Sequence, residues 1–151
     1  MRDRQRGFTL IEMLIVVAII AIIATIATPR LQRAWQRANK TRTMADMRVL
    51  AGALDTYMAD PNTGGSYPAG LQGTVAETIA PVIEPKLIAK CPRADQWGSP
   101  FQYISDSDGF GYSLISYGRD RRTGSREGAG GDAEFTEDIV LTNGTFVQGE
   151  R

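Results

Sequence analysis

Glu12 is the only charged residue in a near-continuous apolar run from Phe8 to Thr28. A carboxylate in such a run costs on the order of 3 kcal/mol at the centre of a membrane-spanning helix and somewhat less near its end. The chemistry open to it is therefore ion pairing. A partner arises if the chain is cut after Gly7, because the new terminus is the amine of Phe8, mostly protonated at neutral pH. A neighbouring copy, shifted along the helix axis, could set its own Phe8 amine against this Glu12. Two charges that are costly alone then neutralise one another and select an axial register between copies.

The remaining reactive residue types mainly exclude functions. The chain has no histidine, so the commonest general base and zinc ligand is missing. Cys91 is the sole cysteine, which rules out an internal disulfide and leaves the redox compartment unread. Seventeen Lys and Arg balance seventeen Asp and Glu, so no net field draws in nucleic acid, and no nucleic-acid partner is expected. Asp106-Ser107-Asp108 opens like a calcium loop, but its twelfth position is Tyr117 where a bidentate Glu belongs. A membrane-anchored enzyme finds no support in a Gly-x-Ser-x-Gly elbow, a Cys/His pair or zinc-ligand spacing.

The element that must carry Glu12 is a helix. Residues 8–28 in helical form span about 31 Å, close to the roughly 30 Å hydrocarbon core of a bilayer. A secretory signal peptide would have a shorter apolar stretch, and Ala27-Thr28-Pro29 makes an awkward cleavage site. Beyond Pro29, apolar residues recur at helical spacing at Leu31, Ala34, Trp35 and Ala38, then from Met44 through Met47, Leu50, Ala51 and Leu54 to Tyr57 and Met58. Asp60-Pro61 closes the pattern. The two halves predict one helix of about fifty residues, with a kink or local unwinding at Pro29. Arg30, Arg33, Arg37 and Lys40 fall in one arc, to which Arg48 returns; this is either a solvated basic face or a contact with anionic lipid headgroups.

The rest of the chain reads as a small domain. Asp60–Gly73 is a loop by composition, and Thr74–Ile88 is ambiguous, with a short helix before Pro85. Phe101–Ile104 and Tyr112–Tyr117 flank a turn at Asp106–Gly109, and Ile139–Thr142 and Thr145–Val147 flank Asn143-Gly144, the strongest short hairpin signal. Three or four antiparallel strands resting on the amphipathic half of the helix give an α+β fold. The boundaries are a charged leader at 1–7, a transmembrane and assembly helix at 8–28, its amphipathic continuation at 29–59 and a globular domain at 60–151.

Gly7-Phe8-Thr9-Leu10-Ile11-Glu12-Met13-Leu14 resembles the processing signal of type IV pilins and type II secretion pseudopilins. In that superfamily a prepilin peptidase cuts after the glycine and methylates the new terminus, and the glutamate guides assembly. The resemblance implies cleavage between Gly7 and Phe8, N-methylation of Phe8 and an assembly role for Glu12. It also implies a single-pass inner-membrane protein with its C-terminal domain in the periplasm. Counting positive charges would reverse that orientation, since Arg30, Arg33, Arg37, Lys40 and Arg42 outnumber Arg2, Arg4 and Arg6; the family placement is followed.

Asp95-Gln96-Trp97-Gly98-Ser99-Pro100-Phe101 is similar to a segment of the major pseudopilin, as are Ser116–Asp120 and Thr136–Ile139. In that family the last loop binds calcium, which implies Asp120, Glu137 and Asp138 as ligands; no other cofactor is required. The chain departs from the pattern where Arg121-Arg122 replace a glycine and residues 123–134 form a longer Gly-rich insertion. Arg121, Arg122 and Arg126 could neutralise the acids instead. The implied function is a non-catalytic subunit of a homo-oligomeric periplasmic filament. Its implied partners are minor pseudopilins, the prepilin peptidase, the inner-membrane secretion platform and membrane lipid. A surface pilin serving adhesion, motility or DNA uptake is the alternative.

Overall fold

The computed structural model describes residues 8–124 and 135–148. Thr9 starts the first helix, α1 (Leu10–Met58), which runs for 49 residues. The Thr9 hydroxyl accepts from the backbone N–H of Glu12 at 3.3 Å. The Glu12 carboxylate accepts in return from the Thr9 backbone N–H at 3.2 Å and from its hydroxyl at 3.0 Å. This reciprocal arrangement is a capping box, and it satisfies donors that the first helical turn leaves unpaired. At the other end the Thr63 hydroxyl donates to the carbonyl of Tyr57 at 2.9 Å, just ahead of the stop at Pro61. The local unwinding expected at Pro29 does not occur: helical structure is continuous through it.

The chain forms two compact units that divide between Trp35 and Gln36. In the first, the apolar side chains from Leu10 to Ile26 are exposed. Among the described residues α1 is the one helix long and apolar enough to cross a membrane.

The second unit is a helix packed on a sheet. Strands β1 (Gln72–Thr74), β2 (Gln102–Ser105), β3 (Tyr112–Ser116), β4 (Ile139–Thr142) and β5 (Thr145–Gln148) lie in sequence order, each antiparallel to the next. A short helix α2 (Ala80–Ile83) precedes Pro85. Five strands form where three or four were expected. The extra one, β1, spans the end of the presumed loop and is held by pairing with β2 rather than by its own composition. Asn143 and Gly144 both adopt positive φ, 47° and 77°, as a two-residue hairpin turn requires. Along β3 the inward side chains are Tyr112, Leu114 and Ser116, alternating with half-buried ones as a half-covered strand should.

Met47, Leu50 and Leu54 of α1 join Ile79 and Ile83 of α2 and Phe101, Tyr103, Leu114 and Leu141 of the sheet in one core. The packed face of α1 begins at Lys40, not at Leu31: Leu31 and Trp35 are each 67% exposed, whereas Lys40 and Thr43 are buried. Lys40 is therefore not part of a solvated basic face. Arg48 stays exposed but is held to one side, its guanidinium 5.0 Å from the centre of the Phe146 ring.

Candidate functional site

The N-terminal candidates lie at the start of α1. Gly7 falls outside the described residues, and Phe8 is 69% exposed. The capping box turns the Glu12 carboxylate back toward the helix N-terminus, where the partial positive charge of the helix favours an anion. That is also the end at which a cut after Gly7 would leave an amine. Thr9 is the functional residue that sequence reading passed over. Its signal was present, since Thr-x-x-Glu ahead of an apolar run is the pattern of a capping box.

A second constellation centres on Asp95. Its Oδ1 accepts from the backbone N–H groups of Trp97 at 3.0 Å and Ser99 at 2.8 Å, and its Oδ2 from the Ser116 hydroxyl at 2.7 Å. The turn it organises reaches α1 at three points. The Gln96 backbone N–H donates to Thr43 Oγ1 at 3.2 Å, Gln96 Nε2 to Asp46 Oδ2 at 2.9 Å, and Trp97 Nε1 to Gln36 Oε1 at 2.8 Å. Arg121 donates to the carbonyl of Trp97. The turn around Asp95 thus joins α1, β3 and the loop after β3, and two of the three segments singled out in the sequence meet at the Asp95 carboxylate. With both its carboxylate oxygens satisfied, Asp95 clasps these segments together.

That clasp positions the third candidate. Gly118 has φ 62°, and a Cβ there would come within 2.7 Å of the Glu137 carbonyl oxygen and 3.1 Å of that of Phe135. Glycine is what lets those carbonyls approach. Asp138 is buried; its Oδ2 accepts from the Gly124 backbone N–H at 2.8 Å, and its Oδ1 has no hydrogen-bond partner among the described residues. Burial pushes its carboxyl above the usual range and the charge of Asp120 adds to the effect, while the Gly124 bond opposes it. Asp120 and Asp138 are therefore brought together. Among the described residues, however, no three acidic side chains gather as a cation-binding group, so Glu137 does not complete the set with Asp120 and Asp138; its carbonyl packs against Gly118. Arg121 is turned to Trp97 rather than to the acids and holds φ 57°, a conformation natural to the glycine it replaces. Arg126 lies outside the described residues. A buried carboxylate oxygen unpartnered among the described residues, with the charge of a second carboxylate close enough to act on it, has the oxygen chemistry a hard cation takes.

Cys91 offers no nucleophile. It is buried, its backbone N–H donates to Glu84 Oε1 at 2.5 Å, and burial with the Glu84 charge pushes its thiol up to about 11.

Two family models match the chain. One, described as the prokaryotic N-terminal methylation motif, covers residues 2–28; the other, described as type II secretion system protein G, covers residues 30–136. Among curated relatives, the type II secretion system core protein G of Escherichia coli (strain K12) is 32% identical over 83% of this chain and 89% of its own length. The protein of the same name from Pseudomonas aeruginosa is 33% identical over 89% and 95%, and that from Vibrio cholerae 32% over 85% and 90%. No solved structure matches the chain significantly.

Proposed function

This chain belongs to the type II secretion system protein G family, and from that membership we propose how its residues work. It is the major pseudopilin of a type II secretion system, a membrane-anchored filament subunit. The observation that carries this reading is the presence of both family signatures in one chain, the methylation motif on the apolar half of α1 and the protein G match beyond it. The residue roles follow as our proposal. A prepilin peptidase cuts after Gly7 and methylates Phe8. Before assembly the chain crosses the inner membrane once, with residues 36–151 in the periplasm. On addition to the filament, the Glu12 carboxylate turns from its own Thr9 to the Phe8 amine of the adjacent copy. The desolvation cost of both charges is then offset within one contact.

The protein's role is structural, and its partners are further copies of itself, minor pseudopilins and the inner-membrane secretion platform. Asp120 and Asp138 are the side chains we assign to calcium. A bound cation would supply positive charge to the Asp138 oxygen, which has no partner among the described residues. This reading predicts that deleting the gene stops export of the secreted substrates, and that overproducing the chain with the secretion machinery yields filaments visible by electron microscopy. Undiminished export in the deletion strain would contradict it.

A further inference from the structure

We propose that the turn of α1 just past its apolar stretch is a docking surface for anionic lipid headgroups, a proposal that rests on the membrane-spanning reading of α1. Arg30 and Arg33 are the cations that reach the phosphate, and Leu31 and Trp35 are the apolar groups beside them. The basic arc read from the sequence does not survive intact, since Lys40 is buried and Arg48 lies against Phe146. Arg30 and Arg33 remain exposed.

Three observations give this stretch a lipid as its occupant. Ile23, Ile26, Ala27, Arg30 and Leu31 line one shallow groove, so an acyl chain lying in it has a guanidinium beside it to meet its phosphate. Leu31 and Trp35 are each 67% exposed beside the arginines. A tryptophan at the end of an apolar span, with long cationic side chains near it, is the composition of a membrane interface. Third, Arg30 to Trp35 covers about 7.5 Å of helix, matching a headgroup layer of roughly 5–8 Å on each side of the hydrocarbon core. Arginine suits the ligand, because its planar fork engages phosphate oxygens in pairs. The surface continues directly from the membrane span, so it meets headgroups whenever the subunit waits in the bilayer.

The test uses the full-length chain reconstituted in phosphatidylcholine vesicles carrying trace spin-labelled phosphatidylglycerol or phosphatidylcholine. The spin-label spectra give the relative association of the two lipids with the protein. At about 1 kcal/mol for a basic residue at the surface, wild type should prefer phosphatidylglycerol about fivefold or more, and the preference should fall with salt. Arg30→Gln/Arg33→Gln should lose most of that preference and Arg30→Lys/Arg33→Lys should keep most of it. Any basic residues elsewhere are common to all three proteins and cancel in the comparison. Vesicle flotation reads insertion separately. A wild-type chain that fails to float overturns the membrane-spanning reading and this proposal with it. A glutamine variant that floats and keeps the wild-type preference overturns the docking surface alone. If that variant instead loses filament growth, the arginines face another copy of the chain.

Discussion

Glu12→Val should abolish filament growth while leaving insertion into the membrane and processing at Gly7 intact. Removing a charge from the apolar run makes insertion of the single subunit no harder. The neighbour's Phe8 amine, however, is left without its carboxylate. Losing one member of a buried pair typically costs about 3–5 kcal/mol, which lowers each subunit-addition constant by more than about a hundredfold. Growth repeats that step at every subunit. Co-produced with wild type, the variant supplies an amine but no acid and should poison growing filaments. The capping box adds a second substitution that separates two roles. Glutamine can replace glutamate at the third position of a capping box, so Glu12→Gln keeps the cap of α1 and loses only the charge. If ion pairing drives assembly, electron microscopy should find no filaments with either variant. Filaments from Glu12→Gln alone would reduce Glu12 to a helix cap, and filaments from both would make it an incidental polar residue.

The second large effect concerns Asp138. Removing calcium with a chelator should lower the melting temperature of the full-length chain in detergent. Binding stabilises by about 2.7 kcal/mol at a hundredfold excess over Kd, a shift on the order of 10 °C for a domain of about this size. The pH dependence should change sign with the metal. Without it, the folded-state pKa of Asp138 lies above its unfolded value, so the folded protein binds this proton more tightly. The contribution of Asp138 to stability is then present at pH below its unfolded pKa and is lost as pH rises through the raised one. With calcium, protons compete for the same carboxylate and acid weakens the fold. Asp138→Asn should therefore be at least as stable as metal-free wild type at neutral pH, with its amide oxygen still placed to accept from Gly124, and should no longer respond to calcium. An unchanged melt of the wild type on chelation would leave Asp138 as a buried carboxyl with no cation to serve.

What could be read without coordinates was what is encoded locally. The apolar run and the 3.6-residue period predicted one helix of about fifty residues, and α1 has 49. Asn143-Gly144 marked its hairpin because few other residue pairs accept positive φ twice in succession. The capping box is equally local, since Thr9 and Glu12 stand at its spacing ahead of the apolar run. Other features had no local signal. Gln72-Gly73-Thr74 has little strand character and becomes β1 by pairing with β2. Lys40 looks like a member of a basic face by spacing, yet it is buried with Thr43 and Met47 on one side of α1. Asp95 could be matched to a family segment, but its bond to Ser116 and the Trp97 bond to Gln36 join residues far apart in the chain. Asp120 and Asp138 could be named from the family resemblance, but the burial of Asp138 that raises its pKa belongs to the folded chain.

The most direct test of the filament reading is the N-terminal mass of the mature protein purified from membranes. Phe8 should be the first residue and should carry a single methyl group, with residues 1–7 gone. That outcome places a charged, modified amine at the start of the apolar helix, where the pairing with Glu12 of a neighbouring copy requires it. A mature chain beginning near Arg30 would mean that the apolar run had been removed as an ordinary signal peptide. Both the anchor and the assembly contact would then be gone, and the filament reading with them.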